Sequence, residues 1–240
     1  MENSIYVGLS QQMALKTNMD FIANNIANMS TSGYRGQHML FEEYIADPLG
    51  GDDELSMVYN RGQYQDTTQG SLQRTENPLD IALEGPGYIG VQAPNGQIAY
   101  TRAGEFQLSA EGTLVNSNGR PIADAGGASI TIPPGSREIK IDEKGFVSNE
   151  DGQLGQIMVV EFENIQTLEP YGHNMYLNKD QGQLATNTRV KQGQLEGSNV
   201  QPIMEMTQMV ETLRTYQSIT RTLQSENDRL RTAIQKLTGG

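Results

Sequence analysis

Apolar residues recur at helical spacing near both ends of the chain, and in short β-rich runs between them. Leu15, Met19, Ile22, Ile26 and Met29 are separated by steps of 4, 3, 4 and 3, a heptad stripe that predicts one helix. At the other end a second stripe runs through Ile203, Met206, Val210, Leu213, Tyr216, Thr220, Leu223, Asn227, Leu230, Ile234 and Leu237. At ~1.5 Å per residue the two helices span roughly 39 Å and 52 Å. Pro202 suits a first helical turn, where its missing N–H is not needed. Ser198 and Asn199 stand where helix caps belong. Thr220 and Asn227 weaken the second stripe and help to fix its register. The first stripe carries three amides, Asn24, Asn25 and Asn28, immediately before Ser30-Thr31-Ser32-Gly33 stops the helix. Such amides can bond the terminal carbonyls and N–H groups of neighbouring helices and so specify alignment.

The middle changes period. "IAYTRAGEFQL", "GTLVNSNGRPI", "ASITIPPGSREIKI" and "GFVSNEDGQLGQIMVVEF" are strand-like runs broken by turn residues. Asn95-Gly96, Asn118-Gly119 and Asp151-Gly152 favour tight hairpins because these residues tolerate positive φ. "IMVVEF" is the most continuous apolar run and predicts the most buried strand. Glycine divides the chain the same way: 21 of the 26 lie in residues 37–197. The expected fold class is α+β. Long N- and C-terminal helices pack as a coiled-coil-like layer, and a central, mostly antiparallel β domain stands apart. The expected segments are a helix over 1–36, a polar extended connector over 37–75, a β-rich domain over 76–197 and a helix over 198–240.

Charge sharpens this division. The net charge is −12, with −13 in residues 37–197 against +1 at the ends, which argues against nucleic acid as a partner. With no cysteine among 240 residues, a disulfide scaffold and thiolate metal sites are excluded. The opening "MENSIYVGLSQQM" has no cationic segment followed by an apolar run, so no cleaved secretory leader is expected. No stretch approaches the ~20 apolar residues of a membrane span.

Candidate chemistry is sparse. "GPGYIG", residues 85–90, matches G-x-G-x-x-G, but a dinucleotide site needs a helix next. Here a strand and a hairpin turn follow. His38 and His173 have no metal-ligand spacing. Asp52-Asp53-Glu54 lacks the spaced oxygens of a calcium loop. No catalytic, cofactor-binding or metal residue is expected. Long amphipathic helices still require a surface on which to bury their stripes. Their length exceeds a compact domain of ~120 residues, with its radius of gyration near ~14 Å, so packing between molecules is inferred.

"ANNIANMSTSGYRGQ", "NPLDIALEGPGYIGVQ" with "YTRAGEFQLSAEGTLVNSNGRPI", and "GQLEGSNVQPIMEMTQMVETLRTYQS" occur in that order. Together they resemble the signatures of bacterial flagellar rod and hook proteins. "LEGSNVQP" with Pro202 and a short 42–75 connector resemble proximal-rod members more than distal-rod or hook members. The resemblance implies a non-enzymatic subunit of the flagellar basal body, exported through the flagellar type III apparatus without a cleaved signal peptide. It would assemble with its own copies and other rod proteins into the periplasm-crossing tube that transmits torque. It would take no cofactor, nucleic acid or small-molecule substrate and would not insert in a membrane. The implied assembly residues are Leu15, Met19, Ile22, Asn24, Asn25, Ile26, Asn28, Met206, Val210, Leu213, Tyr216, Leu223, Asn227, Leu230, Ile234 and Leu237. A secreted coiled-coil adhesin and a nucleotide-dependent enzyme are the competing classes.

Overall fold

The structure is a computed structural model that describes residues 2–46, 55–180 and 182–238. It falls into two compact units: Met1–Ala27, Gln37–Tyr64 and Gln201–Gly240 form the first, Asn28–Gly36 and Gln65–Val200 the second. This grouping differs from the sequential division expected above. Residues 28–36 fold with the β-rich unit, and much of the connector folds with the helices.

The first unit holds two long helices, α1 (Glu2–Ala27) and α2 (Pro202–Thr238), and two strands paired with each other, β1 (Gln37–Ala46) and β2 (Leu55–Gln65). The helices run antiparallel. Gln12 Nε2 donates to Thr220 Oγ1 at 2.9 Å, and Asn25 Nδ2 donates to Glu205 Oε2 at 3.4 Å. Near the other end, Gly8 lies so close to Leu223 that an added Cβ would meet its Cδ2 at 2.8 Å. Ala14 and Ile22 are buried on α1.

The second unit is almost entirely β. Its strands are β3 (Leu72–Arg74), β4 (Ile81–Glu84), β5 (Tyr88–Gln92), β6 (Ile98–Thr101), β7 (Phe106–Leu108), β8 (Leu114–Asn116), β9 (Lys140–Ile141) and β10 (Phe146–Asn149). They continue with β11 (Gly152–Gln156), β12 (Val159–Glu161), β13 (Glu169–Gly172), β14 (Met175–Leu177), β15 (Gln183–Leu184), β16 (Arg189–Gln192) and β17 (Gln194–Glu196). Six form one antiparallel sheet in the order β13-β14-β6-β5-β12-β15. Late strands return to early ones: β16 pairs with β4, and β17 with β3. The α+β class and the antiparallel β unit are therefore as the sequence predicts.

All three predicted hairpin turns form. Gly96, Gly119 and Gly152 have positive φ, and Ala93 N–H donates to Gln97 O across the first turn. The most buried strands, however, are β4 and β5 rather than "IMVVEF". Ile81, Ala82, Leu83, Tyr88, Ile89 and Val91 are all fully buried, whereas Phe162 is only partly covered. The reason is position. β5 lies between β6 and β12, and its two faces serve two apolar clusters. Ile89 and Val91 pack with Leu114, Ile122 and Ile157, while Tyr88 packs with Tyr100, Val160 and Tyr176.

The tyrosine cluster has a consequence for alkaline stability. Burial raises the Tyr88 and Tyr176 hydroxyls above their usual value near 10. The unfolded chain therefore ionises first, so their contribution is complete below about pH 10 and is lost as pH rises through the folded values. Phenolate absorbance followed alongside circular dichroism is expected to show late-ionising tyrosines whose ionisation coincides with loss of β structure. Full ionisation near pH 10 in a still-folded protein would contradict this.

Candidate assembly surface

The amide-rich end of α1 forms an internal node. Asn25 is 1% exposed. Its Nδ2 donates to Gln37 O at 2.9 Å as well as to Glu205, and its Oδ1 accepts from Gln37 N–H at 3.0 Å. One side chain thus joins the end of α1, the start of β1 and the first turn of α2. Glu205 is 6% exposed and lies where the helix N-terminus favours negative charge. Asn24 is exposed, and Asn28 lies in the turn beyond Ala27. Thr31 N–H donates to Asn28 O at 3.1 Å. The chain reverses at Gly33, whose φ of +64° and close approach to the Arg102–Ala103 backbone leave no room for a Cβ.

The α2 stripe divides into two faces. Tyr216, Leu223 and Leu230 are half-buried, and their row continues back through Thr212, Met209 and Glu205. Ile203, Met206, Val210 and Leu213 are 80%, 49%, 47% and 43% exposed. The cause can be seen in the spacing. Val210, Leu213 and Tyr216 are separated by two successive steps of three, and at ~100° per residue this rotates the stripe by roughly 120°. Asn227, Ile234 and Leu237 are also exposed. On α1, Ile22 is buried and Leu15, Met19 and Ile26 are half-buried, while Tyr6, Leu9 and Met13 face outward. The structure therefore joins Ile22, Asn25 and the Tyr216–Leu223–Leu230 row in covered surface within the chain. It leaves Met206, Val210 and Leu213 presented on an outer one.

Glu205 had no signal in the apolar pattern, since a carboxylate reads as a solvated position. Asn199 stands at a position suited to a helix cap, but its side chain bonds elsewhere. Its Oδ1 accepts from Gly36 N–H at 2.8 Å, and its Nδ2 donates to the Asp66 and Thr68 carbonyls. "GPGYIG" forms the turn from β4 into β5, with Gly87 N–H donating to Thr188 Oγ1 at 2.8 Å. A strand follows it, so the helix N-terminus that a pyrophosphate needs is missing. Among the described residues no helix is long and apolar enough to cross a membrane.

Paired terminal helices with an unfilled apolar face, on a chain whose middle is an antiparallel β unit, define a structural subunit made to be packed against. Three family profiles match along the chain: "Flagella basal body rod protein" over residues 5–35, "Flagellar hook protein FlgE/F/G D1 domain" over 82–149, and "Flagellar basal body rod FlgEFG protein C-terminal" over 191–236. The flagellar basal-body rod protein FlgF of Caulobacter vibrioides is 36% identical over 99% of this chain and 98% of its own length. FlgF of Rhizobium meliloti is 31% identical over 100% and 99%. The rod protein FlgG of Buchnera aphidicola subsp. Schizaphis graminum is 30% identical over 97% and 98%. The chain belongs to the flagellar basal-body rod protein family, a family of structural subunits.

Proposed function

We propose that the chain is a proximal-rod subunit of the FlgF type, located in the periplasmic part of the basal body. The outward row Ile203, Met206, Val210 and Leu213 carries this reading. Apolar residues at 3-4-3 spacing with 43–80% exposure are unusual on a helix that has no further partner. Their occupants are other copies of the chain and other rod proteins. In the tube, α1 and α2 form a coiled-coil-like layer with the helices of neighbouring subunits. The interface comprises the outward residues Asn24, Met206, Val210, Leu213, Asn227, Ile234 and Leu237, bordered by the half-covered Leu15, Met19, Ile26 and Asn28, while Ile22, Asn25 and the Tyr216–Leu223–Leu230 row pack within the chain. Export runs through the flagellar type III apparatus, and the subunit performs no catalysis. A FlgG-type rod position is the second reading, supported by relatives that match over nearly the whole chain.

The absence of native cysteine gives a clean test. Val210→Cys introduces a single thiol on the outward row. In isolated basal bodies this thiol is expected to resist maleimide, while in the dilute monomer it is modified freely. Full labelling in intact basal bodies would overturn the assignment of this face.

A further inference from the structure

The β-rich unit buries three charges together. The side chains of Arg35, Arg102 and Glu196 are 2%, 0% and 1% exposed. Arg102 Nε donates to Glu196 Oε2 at 2.8 Å, and Arg35 Nη2 lies 3.7 Å from Glu196 Oε1. The other Arg102 N–H groups donate to the carbonyls of Leu83, Gly85 and Gly87, and Arg35 Nη1 donates to Thr67 O. Both guanidinium groups lie by the Tyr88 ring, 5.7 and 5.8 Å from its centre. Glu196 Oε1 also accepts from Gly70 N–H at 3.2 Å, and Glu196 O accepts from Gly33 N–H at 2.7 Å.

The charges do not balance. Two cations face one carboxylate, so the cluster is +1 with Glu196 and would be +2 without it. Acceptors are already scarce: the Arg35 Nε and Tyr88 hydroxyl donors are buried without a partner. Burial pulls the Arg102 guanidinium below its usual pKa, and Glu196 opposes that pull. Like charges out of water cost far more than they do exposed. The three residues are also spread along the sequence. Arg35 follows α1, Arg102 follows β6, and Glu196 ends β17, the last strand of the unit.

We propose that Glu196 is the closing residue of the β-rich unit, a conformational latch worked by charge. Until β17 docks on β3, the two arginines have no buried counter-charge, and the site stays open to water. When Glu196 arrives, it draws in the 33–36 segment and the β4–β5 turn together. The unit thus completes its fold last, when the C-terminal segment is in place, and the chain remains open while any part of that segment is held elsewhere.

The test uses the full chain. Glu196→Gln keeps the shape and an acceptor but removes the charge. Its urea midpoint is expected to fall by about 1.5 M. Amide protection should be lost at β3, β17 and residues 33–36 while β5 and β6 keep theirs. The triple variant R35M/R102M/E196M removes every charge and is expected to recover a cooperative melt with a midpoint above that of E196Q. Pulse-labelled hydrogen exchange during refolding of the unaltered protein should protect β3 and β17 after β5 and β6. A Glu196→Gln midpoint within ~0.3 M of wild type, a triple variant no better than E196Q, or simultaneous protection of all four strands would each overturn the latch. If E196Q does not fold, the triple variant and the refolding order still decide.

Discussion

Replacing Leu213 by Asp is expected to leave cells non-motile while the purified protein melts as wild type does. Leu213 is 43% exposed, and a surface substitution of this kind changes chain stability by no more than about 0.5 kcal/mol. In the rod interface proposed above the same position is covered. A carboxylate there loses its water and finds no built partner, at a cost of several kcal/mol. About 4 kcal/mol weakens an association roughly a thousandfold, enough to halt a structure built by successive addition. Leu230→Asp provides the contrast. Leu230 lies on the half-covered row with Leu223, so its substitution should lower the helical unit's own stability as well. Swimming assays, basal-body yield and thermal melts at matched expression separate the two. Motile Leu213→Asp cells would remove the outward row from the interface.

The second large effect concerns Asn25. Its amide bonds both the N–H and the carbonyl of Gln37, and it reaches Glu205. Asn25→Leu would leave a buried N–H, a buried carbonyl and a carboxylate without these partners. Unsatisfied buried groups cost ~1–3 kcal/mol each, so a loss of about 3–5 kcal/mol is expected and the helical unit should lose its cooperative melt. Asn25→Asp keeps the acceptor for Gln37 N–H but removes the donor and sets a second carboxylate beside Glu205. Repulsion from the neighbouring carboxylate raises the folded-state pKa of the introduced carboxyl above its unfolded value. The Asp variant should therefore be unstable at neutral pH and regain stability as pH falls below about 5. A pH series of melts for both variants decides the matter. Wild-type stability in both at pH 7 would show that the node does not hold the helices.

Local chemistry made much of this fold readable. Asn-Gly and Asp-Gly pairs fix hairpins through backbone sterics alone, and long stretches free of glycine and proline mark the helices. The two faces of α2 were also written in the spacing, since paired steps of three rotate a stripe. An unbroken run of apolar residues at helical spacing nevertheless looks like one seam. Arg35, Arg102 and Glu196 could not be joined from sequence. Each looks like a solvated charge until β17 returns to β3 and encloses all three. Asn199 failed for a related reason: an amide before a helix is most simply a cap, and only the return of residues 36 and 66–68 gives it other work. The Asn25 node lay between these cases. Its amide pointed to a packed environment, but its partners Gln37 and Glu205 lie in the same chain.

Gly8 and Asn25 together make the two helices a lever. At one end the Asn25–Glu205 contact pins them. Seventeen residues away, roughly 26 Å along α1, the Leu223 side chain occupies the room that Gly8 leaves. If the Leu223 side chain holds its rotamer, a methyl group at residue 8 acts as a wedge. Opening that end by ~1 Å over ~26 Å swings α2 by about 2°, too little to unfold anything. In a tube each copy is aligned on the one before, so the angular error accumulates with every subunit added. A change almost invisible in the monomer would then appear as altered pitch or early termination of the whole rod.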